Sequence, residues 1–150
     1  MPLPKKLSIV IPVFNDEEVL DELHRRLVSV VRHLAVQSEI VFVDDGSSDG
    51  SLDKLIRLQK DDPSVVVMKQ ARNFGQHNSI AAGLKCATGE IIVLMDSDLQ
   101  DRPEDIPKLL DALETNGCSM AIAKWISRSD SRAPNTAPTP AWFRCRSIGP

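Results

Sequence analysis

The 150-residue chain is 42% hydrophobic and 26% charged with a formal net charge of -3, the balance of an ordinary folded domain and not of a disordered or nucleic-acid-binding one. That length supports one domain with a real core. Cys86, Cys118 and Cys145 form no Cys-x-x-Cys pair and cannot all pair within the chain, which favours a reducing compartment, and the apolar run after Lys6 is too short for a signal-peptide core or a membrane span.

In chain order, Leu7 to Val13 is apolar, β-branched and interrupted only by Ser8 and Pro12, and predicts a first buried strand. Leu20, Leu23, Leu27, Val30, Val31 and Leu34 then recur at helical spacing, with Asn15, Asp16, Glu17 and Glu18 placed to cap the helix start. A second strand is expected over Ile40 to Val43, followed by a helix from about Asp49 or Ser51 marked by Leu52, Leu55, Ile56 and Leu58. Asp62-Pro63 makes a turn into a third strand, Val65 to Met68. Gln76 to Ala87 reads as a helix ended by Thr88-Gly89, and Ile91 to Met95 as the fourth strand. Pro103 opens a helix carrying Ile106, Leu109, Leu110 and Leu113 and stopped by Asn116-Gly117, after which Met120 to Ala123 predicts a fifth strand.

Alternating strands and helices of these lengths imply right-handed crossovers and an α/β fold, a mostly parallel sheet with helices on both faces. After about Lys124 the pattern gives way to Ser, Arg and Pro, and Trp142 to Arg146 shows no strand or helix period. The expected organisation is a folded domain over 1–126 and an irregular tail over 127–150.

Chemistry is concentrated at two strand ends. Ile91 to Met95 runs into Asp96-Ser97-Asp98, whose alternate positions let two carboxylates converge as the chain leaves the sheet. Hard oxygen ligands of this kind suit Mg2+ or Mn2+, with the remaining coordination left to water and substrate phosphate. The second strand likewise ends in Asp44-Asp45-Gly46-Ser47. In an open parallel sheet, ligands bind beyond the carboxyl ends of the strands, so the two acidic ends should face one crevice.

Neither Gly-x-Gly-x-x-Gly after the first strand nor Gly-x-x-x-x-Gly-Lys-Ser/Thr occurs, which argues against dinucleotide oxidoreductases and P-loop kinases. A phosphoacceptor receiver domain, with Lys124 as its late lysine, would need its acidic pair after the first strand and not the second. Four segments in order, Ile11-Pro12-Val13-Phe14-Asn15-Asp16, Val43-Asp44-Asp45-Gly46-Ser47-Ser48-Asp49, Ala71-Arg72-Asn73-Phe74-Gly75 and Met95-Asp96-Ser97-Asp98-Leu99-Gln100-Asp101, give the chain a resemblance to the inverting family 2 glycosyltransferases, over about Leu7 to Leu113. Arg-Asn-Phe-Gly followed by Ala82-Gly83-Leu84, and Asp-Leu-Gln-Asp followed by Pro103-Glu104, look most like the branch that glycosylates polyprenyl phosphates, such as dolichol-phosphate mannose synthase and the undecaprenyl-phosphate glycosyltransferases.

The resemblance implies a glycosyltransferase A, Rossmann-like nucleotide-sugar-binding half, incomplete in this chain. It implies that Pro12, Phe14, Asp16, Asp44, Asp45 and Arg72 bind the nucleotide, with Phe14 and Asp16 standing where a Tyr and a Glu are more usual. Phe14 can stack on a base but has no phenolic hydroxyl to donate. Asp96 and Asp98 would hold the metal, and Asp98, Gln100 and Asp101 are the catalytic candidates. The implied reaction transfers a sugar from a nucleoside diphosphate sugar to a polyprenyl phosphate with inversion. A donor-binding module without turnover is the alternative, because the family's acceptor-binding elements are absent from the sequence and the Pro-rich end reads as a truncated or frame-shifted terminus. No resemblance is visible from about Ala133. The expected location is cytoplasmic, peripheral at the inner face of the membrane and beside a membrane-bound partner; no nucleic-acid partner is implied. His24 and His33 are read as solvated helix-surface residues, and His77 as one that lies near the crevice.

Overall fold

The computed structural model describes residues 6–117, 119–122 and 144–146. The chain divides into two compact units, one ending at Glu104 and the other continuing from Asp105.

In the first unit β1 (Lys6–Val13), α1 (Leu20–Leu34), β2 (Gln37–Asp44), α2 (Ser51–Asp61), β3 (Val65–Lys69), α3 (Gln76–Cys86) and β4 (Ile91–Leu94) alternate. The strands form a four-stranded sheet in the order β3-β2-β1-β4, every pair parallel. The chain therefore steps outward from β1 to β3 through α1 and α2, then returns through α3 to the other side of β1. With right-handed crossovers this puts α3 on one face and α1 and α2 on the other.

Burial agrees with that arrangement, because successive strand residues point to opposite faces. Val10, Val41 and Val43 cluster with Val66 and Met68, and with Ala82, Cys86 and Ala87 from α3 and its end. Gly83 lets α3 approach closely: a Cβ there would stand 2.4 Å from Cγ1 of Val10. The alternate residues Leu7, Ile9, Ile11, Ile40 and Phe42 are sealed from solvent, as are Leu20, Leu23, Leu27 and Leu55 of α1 and α2. Each such side chain contributes about 1.5–3 kcal/mol through burial.

Pro12 lies in a central strand, where a residue without an N–H is normally excluded. Residues of β1 bond alternately to its two neighbours. Val10 O accepts from Met95 N on the β4 side, whereas Val13 O accepts from Asp45 N on the β2 side. Pro12 therefore faces the β4 side, beyond the last register pair Val10–Leu94, and no ladder bond is lost.

The amino end of the sheet is closed by polar groups. Glu39 accepts from Ser8 Oγ at 2.5 Å and from Thr88 N at 2.6 Å, and pairs with Lys6 Nζ at 2.7 Å. Gly89 N donates to Ser8 Oγ at 2.7 Å, drawing the approach to β4 onto β1. Burial raises the Glu39 carboxyl, but the hydrogen bonds from Lys6, Ser8 and Thr88 outweigh it and hold it at about 2.

In the second unit α4 (Ile106–Asn116) follows a 3-10 turn at Pro103–Asp105 and ends on Gly117 at φ 57, as the Asn-Gly stop predicts. The expected fifth strand is present as β5 (Met120–Ile122), but it pairs antiparallel with β6 (Arg144–Arg146) and not with the parallel sheet. Arg144–Arg146 was expected to be irregular; three residues are too few to display a strand period. Ala123, the last residue of the expected fifth strand, Lys124, and the expected tail over 127–150 apart from Arg144–Arg146 lie outside the described residues. Among the described residues no helix is long and apolar enough to cross a membrane.

Candidate functional site at the carboxyl ends of the strands

Strand order reverses between β1 and β4, because β1 leads on to β2 on one side and the returning chain enters β4 on the other. The loops leaving such a switch point diverge and leave a crevice. Here they are residues 14–19 after β1 and 95–102 after β4, with the end of β2 alongside.

The acidic run after β1 does not cap α1, as the sequence suggested; the cap position is Val19 and makes no side-chain bond. Its residues are bonded to neighbouring loops. Asn15, at φ 55, donates through its N–H to Ser47 Oγ at 3.0 Å and accepts from Ser48 N at 2.8 Å. Asp16 N donates to Ser51 Oγ at 3.0 Å, Glu17 Oε2 accepts from Gly50 N at 2.9 Å, and Glu17 N donates to Asp49 Oδ2 at 3.2 Å. The loops after β1 and β2 are thus fastened together. Ser97 Oγ donates to Asp16 Oδ2 and adds the loop after β4.

Asp96, Asp98 and Gln100 are exposed on that loop, and Asp101 is half-buried. Leu99 between them adopts a left-handed φ of 62, a conformation disfavoured for a branched side chain and found most often where function fixes the backbone. The loop closes on itself: Asp101 Oδ2 accepts from Asp96 N at 3.1 Å, and Asp98 Oδ1 accepts from Gln100 N at 3.0 Å. Partial burial and then the charges of Asp101 and Asp98 raise the Asp96 carboxyl, with Gln76, which donates to Asp96 Oδ1 at 2.7 Å, opposing them and Asp16 adding a further like charge. Three further carboxylates therefore act on Asp96 in one loop cluster. An open cleft of about 370 Å3 lies beside them, lined by Asn15, Asp16, Glu17, Glu18, Val19, Asp49 and Asp98.

Asp44 and Asp45, adjacent in sequence, have different surroundings. Asp45 is buried and accepts from Phe74 N at 2.7 Å and Gly75 N at 3.0 Å, so it clamps the loop before α3. Gly46, at φ 73, continues the clamp, since a Cβ there would lie 2.6 Å from the backbone of Arg72 and Asn73. Asp44 is 1% exposed, and neither carboxylate oxygen has a hydrogen-bond partner among the described residues. Val43 faces α3, so the side chain of Asp44 leaves the opposite face of β2. Two buried acceptors without a donor are unfavourable by several kcal/mol in order of magnitude.

Arg72 is exposed and lies 4.8 Å from the centroid of the Phe74 ring. Phe14 and Phe74 are the exposed aromatic rings of this end of the sheet, at 45% and 44%. Pro12 is buried in β1. The structure thus brings Asp16, Asp96, Asp98 and Asp101 into one electrostatic cluster, places Gln100 beside Asp98, and sets Arg72 on the loop held by Asp45. In the sequence Ser97 had no role, and Asn15, Ser51 and Gln76 read only as residues at helix starts and not as members of the site. A Ser between the two aspartates was a signal, but its partner lies 81 residues away. His77 is exposed at the start of α3, and His33 donates to the carbonyl of Ser29 at 2.7 Å. His24 is not simply solvated; it meets Asp62 Oδ2 at 2.8 Å.

Asp96 and Asp98 fit a divalent cation: they are hard oxygen donors on one loop, and the like charges beside them favour a positive ion. Among the described residues no three Asp, Glu, His or Cys groups are placed to hold a metal ion by themselves.

The model of glycosyl transferase family 2 matches residues 8–148, beyond the stretch that carried the sequence resemblance and across the segment after Ala133 where none was visible. Among solved structures, a mannosyltransferase, PcManGT from Pyrobaculum calidifontis in complex with GDP-Man and Mn2+, is 25% identical with a TM-score of 0.53, covering 63% of this chain and 28% of that one. TarS from S. aureus, residues 1–349 in complex with UDP-GlcNAc, is 26% identical with a TM-score of 0.58, covering 74% of this chain and 31% of that one. The same protein in complex with UDP gives a TM-score of 0.60 at 24% identity over 75% of this chain and 33% of that one. This chain therefore spans about a third of the length of the structures it matches.

Proposed function

The chain belongs to glycosyl transferase family 2, and from that premise we propose that the crevice beyond β1, β2 and β4 holds a nucleoside diphosphate sugar, with Mg2+ or Mn2+ on Asp96 and Asp98. The observation that carries this reading is the gathering of Asp16, Asp96, Asp98 and Asp101 at the switch point, where partial burial and then the like charges beside it raise the Asp96 carboxyl. Solved relatives hold GDP-Man with Mn2+ in one case and UDP-GlcNAc in another, so the same framework serves two bases and the base is left open here.

In this reading Phe14 offers its exposed ring to the base, and Pro12 fixes the strand end from which that ring projects. Asp45 holds the loop that carries Arg72, and Arg72 turns its fork from Phe74 to a phosphate. Asp16 completes the nucleotide side of the pocket; Asp44, 1% exposed, would have to be uncovered to reach the nucleotide. A divalent cation bound to Asp96 and Asp98 would neutralise charge on the departing diphosphate. Gln100 and Asp101 keep Asp98 and Asp96 in place through the loop's own bonds.

The acceptor is a polyprenyl phosphate, as in the branch that the sequence most resembles. One of its phosphate oxygens attacks the anomeric carbon from the face opposite the diphosphate. The C–O bond to the leaving group breaks with its electron pair on oxygen, and configuration inverts. An anionic acceptor reduces the need for a strong base, so Asp101 has only to orient it. The chain works at the cytoplasmic face of a membrane. Because it spans about a third of the structures it matches, donor binding and turnover are separate proposals; a donor-binding module without turnover is the second reading.

Calorimetric titration of uridine and guanosine diphosphates, with and without Mn2+, tests the site when repeated on Asp98→Ala. Metal-dependent binding that disappears in the variant supports it and identifies the base. A folded chain that binds neither nucleotide overturns it. Transfer of sugar to a lipid phosphate by the purified chain would decide for turnover over binding alone.

A further inference from the structure

Arg26 of α1 reaches across the fold to Glu104, 78 residues away, with Nε donating to Oε1 at 2.7 Å and Nη2 donating to Oε2. This is a two-bond fork, the ion-pair geometry that survives solvent best. Its position gives it significance. Glu104 is where the chain leaves the loop bearing Asp96, Asp98, Gln100 and Asp101, and the loop's entry is held by Ser97 on Asp16. Between these two attachments Asp98 and Gln100 are exposed and Leu99 holds a strained φ of 62. A backbone in that state keeps its conformation only when its surroundings enforce it.

We propose that Arg26 is a positioning residue: by holding Glu104 it keeps the 96–101 loop in the closed form that presents Asp96 and Asp98 together. The effect on metal and nucleotide rests on the donor-site reading above; the effect on loop order does not. The neighbouring pair supplies the control. Arg25 makes the same fork to Glu22, at 2.8 and 2.6 Å, but both residues lie on α1 and their hydrogen bonds stay within that helix.

The experiment compares the wild-type chain with Arg26→Glu, Glu104→Arg, the two combined, and Arg25→Glu. Amide hydrogen exchange over 96–101 is measured without metal, followed by the apparent Mn2+ affinity at saturating nucleoside diphosphate and a thermal melt. Each single loop variant should exchange about five- to tenfold faster and bind Mn2+ more weakly by a similar factor. The melts should shift little, the double variant should recover, and Arg25→Glu should match wild type. Unchanged exchange in both single variants, equal acceleration in Arg25→Glu, or no recovery in the double would each overturn the proposal. If the wild-type chain takes up no nucleotide, the donor-site reading falls and the exchange series alone decides the role of Arg26.

Discussion

The hydroxyl of Ser97 donates to the carboxylate of Asp16, joining the loop after β4 to the loop after β1 across the point where the sheet order reverses. Ser97 is 6% exposed although it stands between two exposed aspartates. The loop is therefore alternately anchored and open: Ser97 turns inward while Asp96 and Asp98 face outward.

Removing that anchor should be measurable. Ser97→Ala leaves one oxygen of Asp16 with a weaker set of donors, and a hydrogen bond to a charged group is worth about 1.5 kcal/mol at the lower end of its range. Urea denaturation should show a loss of that order with an unchanged slope. A variant as stable as wild type would mean that water replaces the serine without loss.

Asp98→Asn should separate stability from binding. It removes one of the charges that raise Asp96, so the melting temperature should hold or rise slightly, while metal-dependent nucleotide affinity falls by at least about tenfold. Parallel melts and titrations check both signs. A large fall in melting temperature would make Asp98 a structural residue.

Two glycines with positive φ should respond differently to alanine. At Gly75, φ 91 and ψ 154 lie in a region essentially confined to glycine, so with nothing near a new Cβ the backbone term of about 1–3 kcal/mol applies alone. At Gly46 the new atom meets the backbone of Arg72 and Asn73 at 2.6 Å, so the loop before α3 must shift as well. Gly46→Ala should be clearly the more destabilising of the two in chemical denaturation, and equal losses would argue against the close packing.

Acid sensitivity should trace to Glu39. Its folded-state carboxyl is held at about 2 against an ordinary 4.5. A depressed pKa contributes stability above the unfolded value, and that contribution is lost as pH falls from about 4.5 towards about 2. Glu39→Gln should be less stable at neutral pH and flatter across that window. Glu104, also held at about 2, titrates in the same range. Its side chain is 41% exposed against 11% for Glu39, so Glu104→Gln should flatten the profile less.

The parts of the fold that repeat along the chain were legible in the sequence. The buried stripe Leu20, Leu23, Leu27 and Val30 announces α1, and the Asn116-Gly117 stop announces the end of α4. Asp96 and Asp98 were legible too, because an apolar strand running into alternate carboxylates is a local pattern. The partners were not. Ser8 with Glu39, Asp45 with Phe74, and Arg26 with Glu104 meet only once the order β3-β2-β1-β4 is set, and no local spacing encodes that order. The acidic residues after β1 were misread as helix caps for the same reason: their hydrogen-bond partners belong to the loop after β2.

Pro12 has a further consequence. β1 and β4 could be fully zipped further along their length only if β1 offered another N–H on that side, and the pyrrolidine ring removes the one that would come next. The parting of these two strands is thus favoured by covalent structure and not by loop conformation alone. Beyond Val10–Leu94 the mouth can gain at most the weaker pairing that the Pro12 carbonyl allows, however the flanking loops move.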